Sequence, residues 1–198
     1  MRAATAVDPA TVTAAILAGG AGTRLSGRDK GLAVLNGKPL IEHVLAAIQP
    51  QAGSVLICAN RNAAQYAEYG RVLPDAAVGF RGPLAGIAAA LAECRTAWLL
   101  TVPVDCPTPP RDLAARLAAS ANDASVAVAH DGVRTQPLFA LYRRGLADAA
   151  RSALQSDSPV WRWQQQAGAA VGDFADCAAA FGNLNTAEDF LRWESEHG

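Results

Sequence analysis

Between Leu17 and Gly31 the chain reads LAGGAGTRLSGRDKG, with five glycines, Arg24, Arg28 and Lys30 in fifteen residues, and Asp29 as the only carboxylate. Glycines let backbone N–H groups come close to phosphate oxygens, and the cations offset the oxygens' charge, so the composition suits a triphosphate cradle. Two better-defined phosphate loops do not fit. A Walker A loop needs Ser or Thr after its lysine, and Lys30 is followed by Gly31. A dinucleotide fingerprint needs a third glycine where Leu25 stands after Gly20-x-Gly22. A solvated surface loop is the other reading, but the position directly behind the apolar run Ala14–Leu17 favours the cradle. Asp105 is the second chemical signal, at the end of LLTVPVDCP. A carboxylate at such a strand end can hold Mg2+ against nucleotide phosphates, or cap the helix that follows. A phosphate loop on a neighbouring strand favours the metal.

Such residues must be positioned by something, and the hydrophobic pattern supplies it. Strand-like runs (TAAILAG, SVLICAN, VLPD, AWLLTVPVD, ASVAVAHD) alternate with helical ones (PLIEHVLAAIQ, PLAGIAAALAEC, PRDLAARLAAS). In the first helix Leu40, Ile41, Val44, Leu45 and Ile48 share one face, and Pro83 stands where the second would start. Near residue 130 the chain changes character: QPLFALY, AAVGDF and AFGNLN read as strands, RRGLADAARSAL and PVWRWQQQAG as helices, and TAEDFLRWESE as a closing helix capped by Thr186. The alternation predicts a Rossmann-like, three-layer α/β domain, a mostly parallel sheet with helices on both faces. Ligands bind such sheets beyond the strands' carboxyl ends, where Gly19-Gly20, Asn60, Asp75 and Asp105 fall.

Bulk composition narrows the partners. With 198 residues, 51% hydrophobic, 18% charged and a formal net charge of −1, the chain can bury a core and is not disordered. It lacks the basic excess of a general nucleic-acid binder. The start, MRAATAVDPATVT, is not a signal peptide, and no apolar run reaches the ~18 residues of a membrane span. Cys58, Cys94, Cys106 and Cys177 have neither metal-ligand nor disulfide-framework spacing, so a cytoplasmic protein without membrane contact is expected.

The motifs LAGGAGTRLSGRDKGL, LNGKPLIEHV, CANR, LPD, GPLAGI, PVDCP, HDGVRTQPLFALY and NLNTAEDF together resemble the molybdenum cofactor guanylyltransferases, from about Ile16 to Trp193. The opening motif alone would indicate only the wider nucleotidyltransferase class. The resemblance implies a single nucleotidyltransferase domain over 1–198, with a nucleotide-binding part at about 11–125 and an acceptor-binding part at about 126–198. It implies transfer of GMP from GTP to the terminal phosphate of molybdopterin, with Mg2+ and release of pyrophosphate. Position by position, it assigns the nucleotide to Leu17, Ala18, Gly19 and Gly20, phosphate to Lys30, further nucleotide contacts to Asp75, and the metal to Asp105. Arg24 joins Lys30 and the metal in neutralising charge. An asparagine is implied where this chain has Cys58, a departure that backbone groups or Asn60 would have to cover. On the acceptor side Arg134, Gln136, Asn183 and Asn185 are the candidates. Transient contacts with proteins that supply and accept the cofactor are also implied.

The chemistry agrees with what the sequence lacks. A phosphate monoester with a second pKa near ~6 is already largely dianionic at neutral pH, so no general base is needed. Positioning and charge neutralisation suffice. His43 on the first helix reads as structural, and His130 as either structural or pterin-facing. Trp161 and Trp163, two apart on a helix, point in different directions, so one is expected in the core and the other partly exposed. Cys106 reads as a small buried residue. A CTP-dependent sibling, another phosphorylated acceptor and a non-catalytic delivery module are the alternatives.

Overall fold

The computed structural model describes residues 7–19, 29–75 and 82–197. Its first strand, β1 (Val12–Leu17), turns Val12, Ala14 and Ile16 to one face and Ala15 and Leu17 to the other, and is buried along nearly its whole length. A strand apolar on both sides needs helices on both faces of its sheet. A short ribbon follows, β2 (Val34–Leu35) and β3 (Lys38–Pro39), turned by Asn36 and Gly37, both at positive φ. That is the Asn-Gly chemistry of a two-residue hairpin. Then come α1 (Leu40–Ile48), β4 (Ser54–Cys58), the single-turn α2 (Ala63–Tyr66), β5 (Arg71–Leu73), α3 (Pro83–Glu93) and β6 (Trp98–Pro103). The remainder is α4 (Leu113–Ala121), β7 (Val126–His130), β8 (Thr135–Arg143), α5 (Ala147–Gln155), α6 (Val160–Gln166), β9 (Ala170–Asp173) and α7 (Ala187–His197).

Among the described residues seven strands form one sheet in the order β5-β4-β1-β6-β8-β7-β9. The first four in this order are mutually parallel, β9 is parallel to β7, and only β8 runs against its neighbours. The sheet is mostly parallel, as the alternation of elements predicts. One face is covered by α1 (Ile41, Val44, Ile48) and α4 (Leu113, Leu117, Ala121). The other is covered by α3 (Leu84, Ile87, Leu91), α5 (Ala150, Leu154) and α6 (Val160, Trp163). Buried Gln51 joins the first pair of helices: its amide donates to Ala47 O and Pro110 O, and its Oε1 accepts from Ala114 N, all at 2.9 Å.

Several boundaries differ from the sequence expectation. On α1, Leu45 is only half-buried and Ala47 takes its place in the core. AFGNLN is not a strand. Ala175–Phe181 is a run of 3-10 turns broken at Cys177, and residues 182–185 have no regular structure. The stretch lacks the β-branched side chains that favour a pleated strand. Phe181 is drawn edge-on against Phe139 (4.8 Å) and Phe174 (5.5 Å). Backbone groups here bond to the segment after β6 instead of to a ladder: Ala180 O accepts from Cys106 Sγ, and Leu184 N donates to Asp105 O, both at 2.8 Å. On α6, Trp163 is 4% exposed and stacked on Tyr142 while Trp161 is 51% exposed, the expected division.

Candidate active site

Beyond the carboxyl ends of β1, β4, β5 and β6 two polar groups form. In the first, Ala18 N donates to Cys58 O at 2.8 Å, which carries the β1–β4 pairing one residue beyond β1, up to Gly19. A Cβ at Gly19 would lie 3.4 Å from Asn60 Nδ2 and 3.5 Å from Asp75 Oδ1, so Gly19 sits directly against this pair. Asn60 and Asp75 hold each other: Asn60 Nδ2 donates to Asp75 Oδ2 at 2.5 Å, and Asp75 N donates to Asn60 Oδ1 at 2.9 Å. Burial raises the Asp75 carboxyl above the ordinary aspartate range, with the Asn60 bond working the other way.

The second group centres on Lys30. Its Nζ donates to Asp105 Oδ2 at 3.1 Å and to Asn185 Oδ1 at 2.5 Å. The lysine and aspartate side chains are 21% and 19% exposed, so the ion pair reaches solvent and a ligand can reach the pair. Asp105 is not a helix cap, since α4 begins only at Leu113. Asn185 is set by α7. Asp189 Oδ2 accepts from Asn185 N (2.8 Å) and Thr186 N (2.9 Å), and Thr186 Oγ1 accepts from Asp189 N at 3.2 Å. This reciprocal cap is a capping box with Asp in place of Glu, and Thr186 is the expected cap residue. Those two N–H groups hold the Asp189 carboxyl below its usual range. Leu184 anchors the same segment against Leu35 and Leu40.

Three residues that sequence reasoning passed over complete this second group. Asp29 Oδ1 accepts from Gly31 N at 3.1 Å and from the Tyr66 hydroxyl at 2.5 Å, and its Oδ2 accepts from Asn62 Nδ2 at 3.0 Å. The Asp-x-Gly spacing is a local turn signal, but nothing local announces Tyr66 or Asn62. Gly31 also has a different reason to be glycine than backbone access to phosphate. A Cβ there would lie 2.3 Å from the Tyr66 hydroxyl and 2.9 Å from Val104 Cγ2.

The other candidates are placed as follows. Gly20 and Arg24, with Gly22 and Arg28, lie outside the described residues. The Cys58 thiol is buried and donates to Gly86 O at 3.4 Å; burial, and then the Asp75 charge, push it up to about 12. It faces the core and not the open end of the sheet. Cys106 is likewise buried and pushed up to about 12 by burial and then the Asp105 charge. Asn183 is exposed. His43 is structural: its Nε2 donates to Leu35 O at 2.8 Å and its ring meets Trp193 edge-on.

Arg134 and Gln136 belong to the β7–β8 hairpin. Asp131 Oδ1 accepts from Val133 N and Arg134 N at 2.8 Å, and its Oδ2 accepts from Gln136 Nε2 at 2.5 Å. His130 Nδ1 accepts from Gly132 N at 3.1 Å. The N–H groups of Arg134 and Val133 and the Gln136 amide lower the Asp131 carboxyl from 3.8 to about 2. A lowered carboxyl stabilises the fold above its unfolded pKa and loses that contribution as pH falls through the folded one. We therefore expect Asp131→Asn to unfold at a lower temperature than wild type at neutral pH, with the gap closing between pH 3.8 and about 2. Thermal unfolding of both proteins across that range checks this, and a gap independent of pH would refute it.

Comparison with known proteins identifies the family and the fold. The family model described as the MobA-like NTP transferase domain matches residues 14–171. A molybdenum cofactor guanylyltransferase of Shewanella sp. (strain MR-4) is 46% identical over 189 residues, covering 93% of this chain and 96% of the relative. One from Photobacterium profundum is 42% identical over 180 residues, covering 90% and 93%. Among solved structures, molybdopterin-guanine dinucleotide biosynthesis protein A from Archaeoglobus fulgidus shares the fold with a TM-score of 0.77 at 23% identity, covering 93% of this chain and 97% of that one. The 2-C-methyl-D-erythritol 4-phosphate cytidylyltransferase from Thermus thermophilus does so at 0.68 and 19%, covering 97% and 98%. With most of its length matched by the family model and relatives above 40% identity, the chain belongs to the MobA-like NTP transferase family and is a nucleotidyltransferase enzyme.

Proposed function

We propose that this enzyme transfers GMP from GTP to the terminal phosphate of molybdopterin. An oxygen of the acceptor phosphate forms a bond to the α-phosphorus of GTP, the bond from that phosphorus to the bridging β-phosphate oxygen breaks, and pyrophosphate leaves. The observation that carries the reading is the convergence of Lys30, Asp105 and Asn185, a cation and two oxygen donors, at the ends of β1 and β6. The names of the relatives support GTP and molybdopterin as the substrates.

In this reading Leu17, Ala18, Gly19 and Gly20 line the nucleotide. Asp75, held by Asn60, accepts N–H donors from it, and Lys30 lies along its phosphates, with Arg24 as a further cation. Cys58, turned into the core, leaves Asn60 and Asp75 as the polar side chains at that end of the sheet. Asn183 and Asn185, with Arg134 and Gln136 across the β7–β8 hairpin, form the acceptor side. The acceptor phosphate is dianionic near neutrality, so no base is required. The work left to the protein is to align two polyanions and neutralise their charge.

The residues present fit Mg2+. Among the described residues no three His, Cys, Asp or Glu side chains converge; in this reading Asp105 would be the carboxylate ligand, with Asn185 Oδ1, bonded to the same Lys30, as a neutral oxygen beside it. Mg2+ keeps several waters and is commonly held by one or two carboxylates plus substrate phosphates, a demand this set meets. When bound, it supplies positive charge to the phosphate oxygens.

Calorimetric titration with GTP, CTP and ATP in Mg2+ buffer tests the reading. GTP should bind selectively, and Lys30→Ala should weaken it about ten- to hundredfold, the scale of a lost charge-assisted hydrogen bond. Preference for CTP, or GTP binding indifferent to Lys30, would overturn it.

A further inference from the structure

Lys30 meets Asp105 and Asn185 from a turn that is anchored elsewhere. That turn, Lys30–Leu32, is a single 3-10 turn capped by Asp29 through the Gly31 N–H. A cap needs no more than this bond. Asp29 nevertheless accepts two further side-chain donors, Asn62 from 33 residues away and Tyr66 from 37. Asn62 is held at φ +53° as the chain leaves β4, and the Tyr66 side chain is fully buried. The space a Gly31 side chain would need is filled by the Tyr66 hydroxyl on one side and Val104 on the other, and Val104 immediately precedes Asp105. The turn carrying the lysine is thus wedged between a buried phenol and the strand end carrying the aspartate.

We propose that Tyr66, with Asn62, is a positioning residue for Lys30: acting through Asp29, the two fix the direction in which the lysine leaves the backbone, and so aim its ammonium at the substrate phosphates. The proposal rests on the role given to Lys30 above. Burial, followed by the hydrogen bond and charge of Asp29, raises the phenol far above its ordinary value, so Tyr66 remains a donor over the working pH range.

The test is a double-mutant cycle on the full chain with radiolabelled GTP and molybdopterin. Tyr66→Phe keeps the ring and deletes the hydroxyl. It should lower kcat/KM for GTP about tenfold, the scale of one hydrogen bond to a charged group, with GTP bound more weakly. In the Lys30→Ala background the same change should cost less than about twofold. Equal losses in both backgrounds would make the hydroxyl a structural bond only and overturn the proposal, as would a wild-type kcat/KM in Tyr66→Phe. If Lys30→Ala alone turns over normally, the role of Lys30 fails and this inference with it; if Lys30→Ala is impaired and Tyr66→Phe is not, only the inference fails. Asn62→Gly, which tolerates the left-handed backbone, gives a second arm should Tyr66→Phe fold poorly. It should follow the same pattern with a smaller loss.

Discussion

Asp105→Ala is expected to lower turnover with GTP about a hundred- to thousandfold, the range seen when one preorganised charge-stabilising group is removed from a site. The fold should survive. Lys30 keeps Asn185 Oδ1 as an acceptor and reaches solvent, and the strand end stays pinned through Leu184 N to the backbone oxygen of residue 105, which alanine retains. Asp105→Asn sharpens the test, because the amide oxygen can still accept from Lys30 while the charge that would hold a divalent cation is gone. Steady-state pyrophosphate release at saturating GTP and Mg2+, with unfolding curves as control, is the measurement. A large loss in both variants assigns the effect to charge. Near-normal turnover in Asp105→Ala would remove Asp105 from the site altogether.

Gly31→Ala is expected to damage both stability and turnover, and for a reason of space. The added methyl would meet the Tyr66 hydroxyl at 2.3 Å and Val104 at 2.9 Å. Neither neighbour is the tip of a flexible chain: Tyr66 is fully buried and Val104 nearly so. Something has to move, and the least costly move is to push the Lys30 turn away, which breaks the Tyr66–Asp29 bond. Overpacking of this kind costs about 1–3 kcal/mol, and turnover should fall as Lys30 shifts. Urea unfolding beside GTP kinetics decides the matter. A variant with wild-type stability and kcat would mean that the turn is not held where it now lies.

Much of this arrangement could be read before any coordinates. Periodicity marks the strands that become β1, β4, β5 and β6, and the residues behind them, Gly19, Asn60, Asp75 and Asp105, fall at one end of the sheet. The direction of β8 could not be read, because QPLFALY is equally apolar whichever way it runs. Its reversal depends on the short hairpin that joins it to β7. The difference at AFGNLN has a similar source: Ala180, Phe181 and Leu184 satisfy a strand pattern until Phe139 and Phe174 are in place to claim Phe181. The pairing of Asp29 with Tyr66 lies beyond any local pattern, since the bond exists only once β1 and β4 are side by side. Cys58 carries the opposite lesson. The resemblance puts it at the nucleotide, and side-chain alternation along β4 sends its thiol to the α3 face.

The bond between Lys30 and Asn185 joins residues 155 positions apart. Contacts of such span form late, because the entropy of closing a long loop must be overcome before the contact contributes anything. A chain that extends only just past β6 already holds Lys30 and Asp105, yet it lacks the asparagine and the Leu184 latch on the strand end. Domains fold broadly from the N-terminal side during synthesis. The group around Lys30 is thereby complete only once the later strands and α7 have docked.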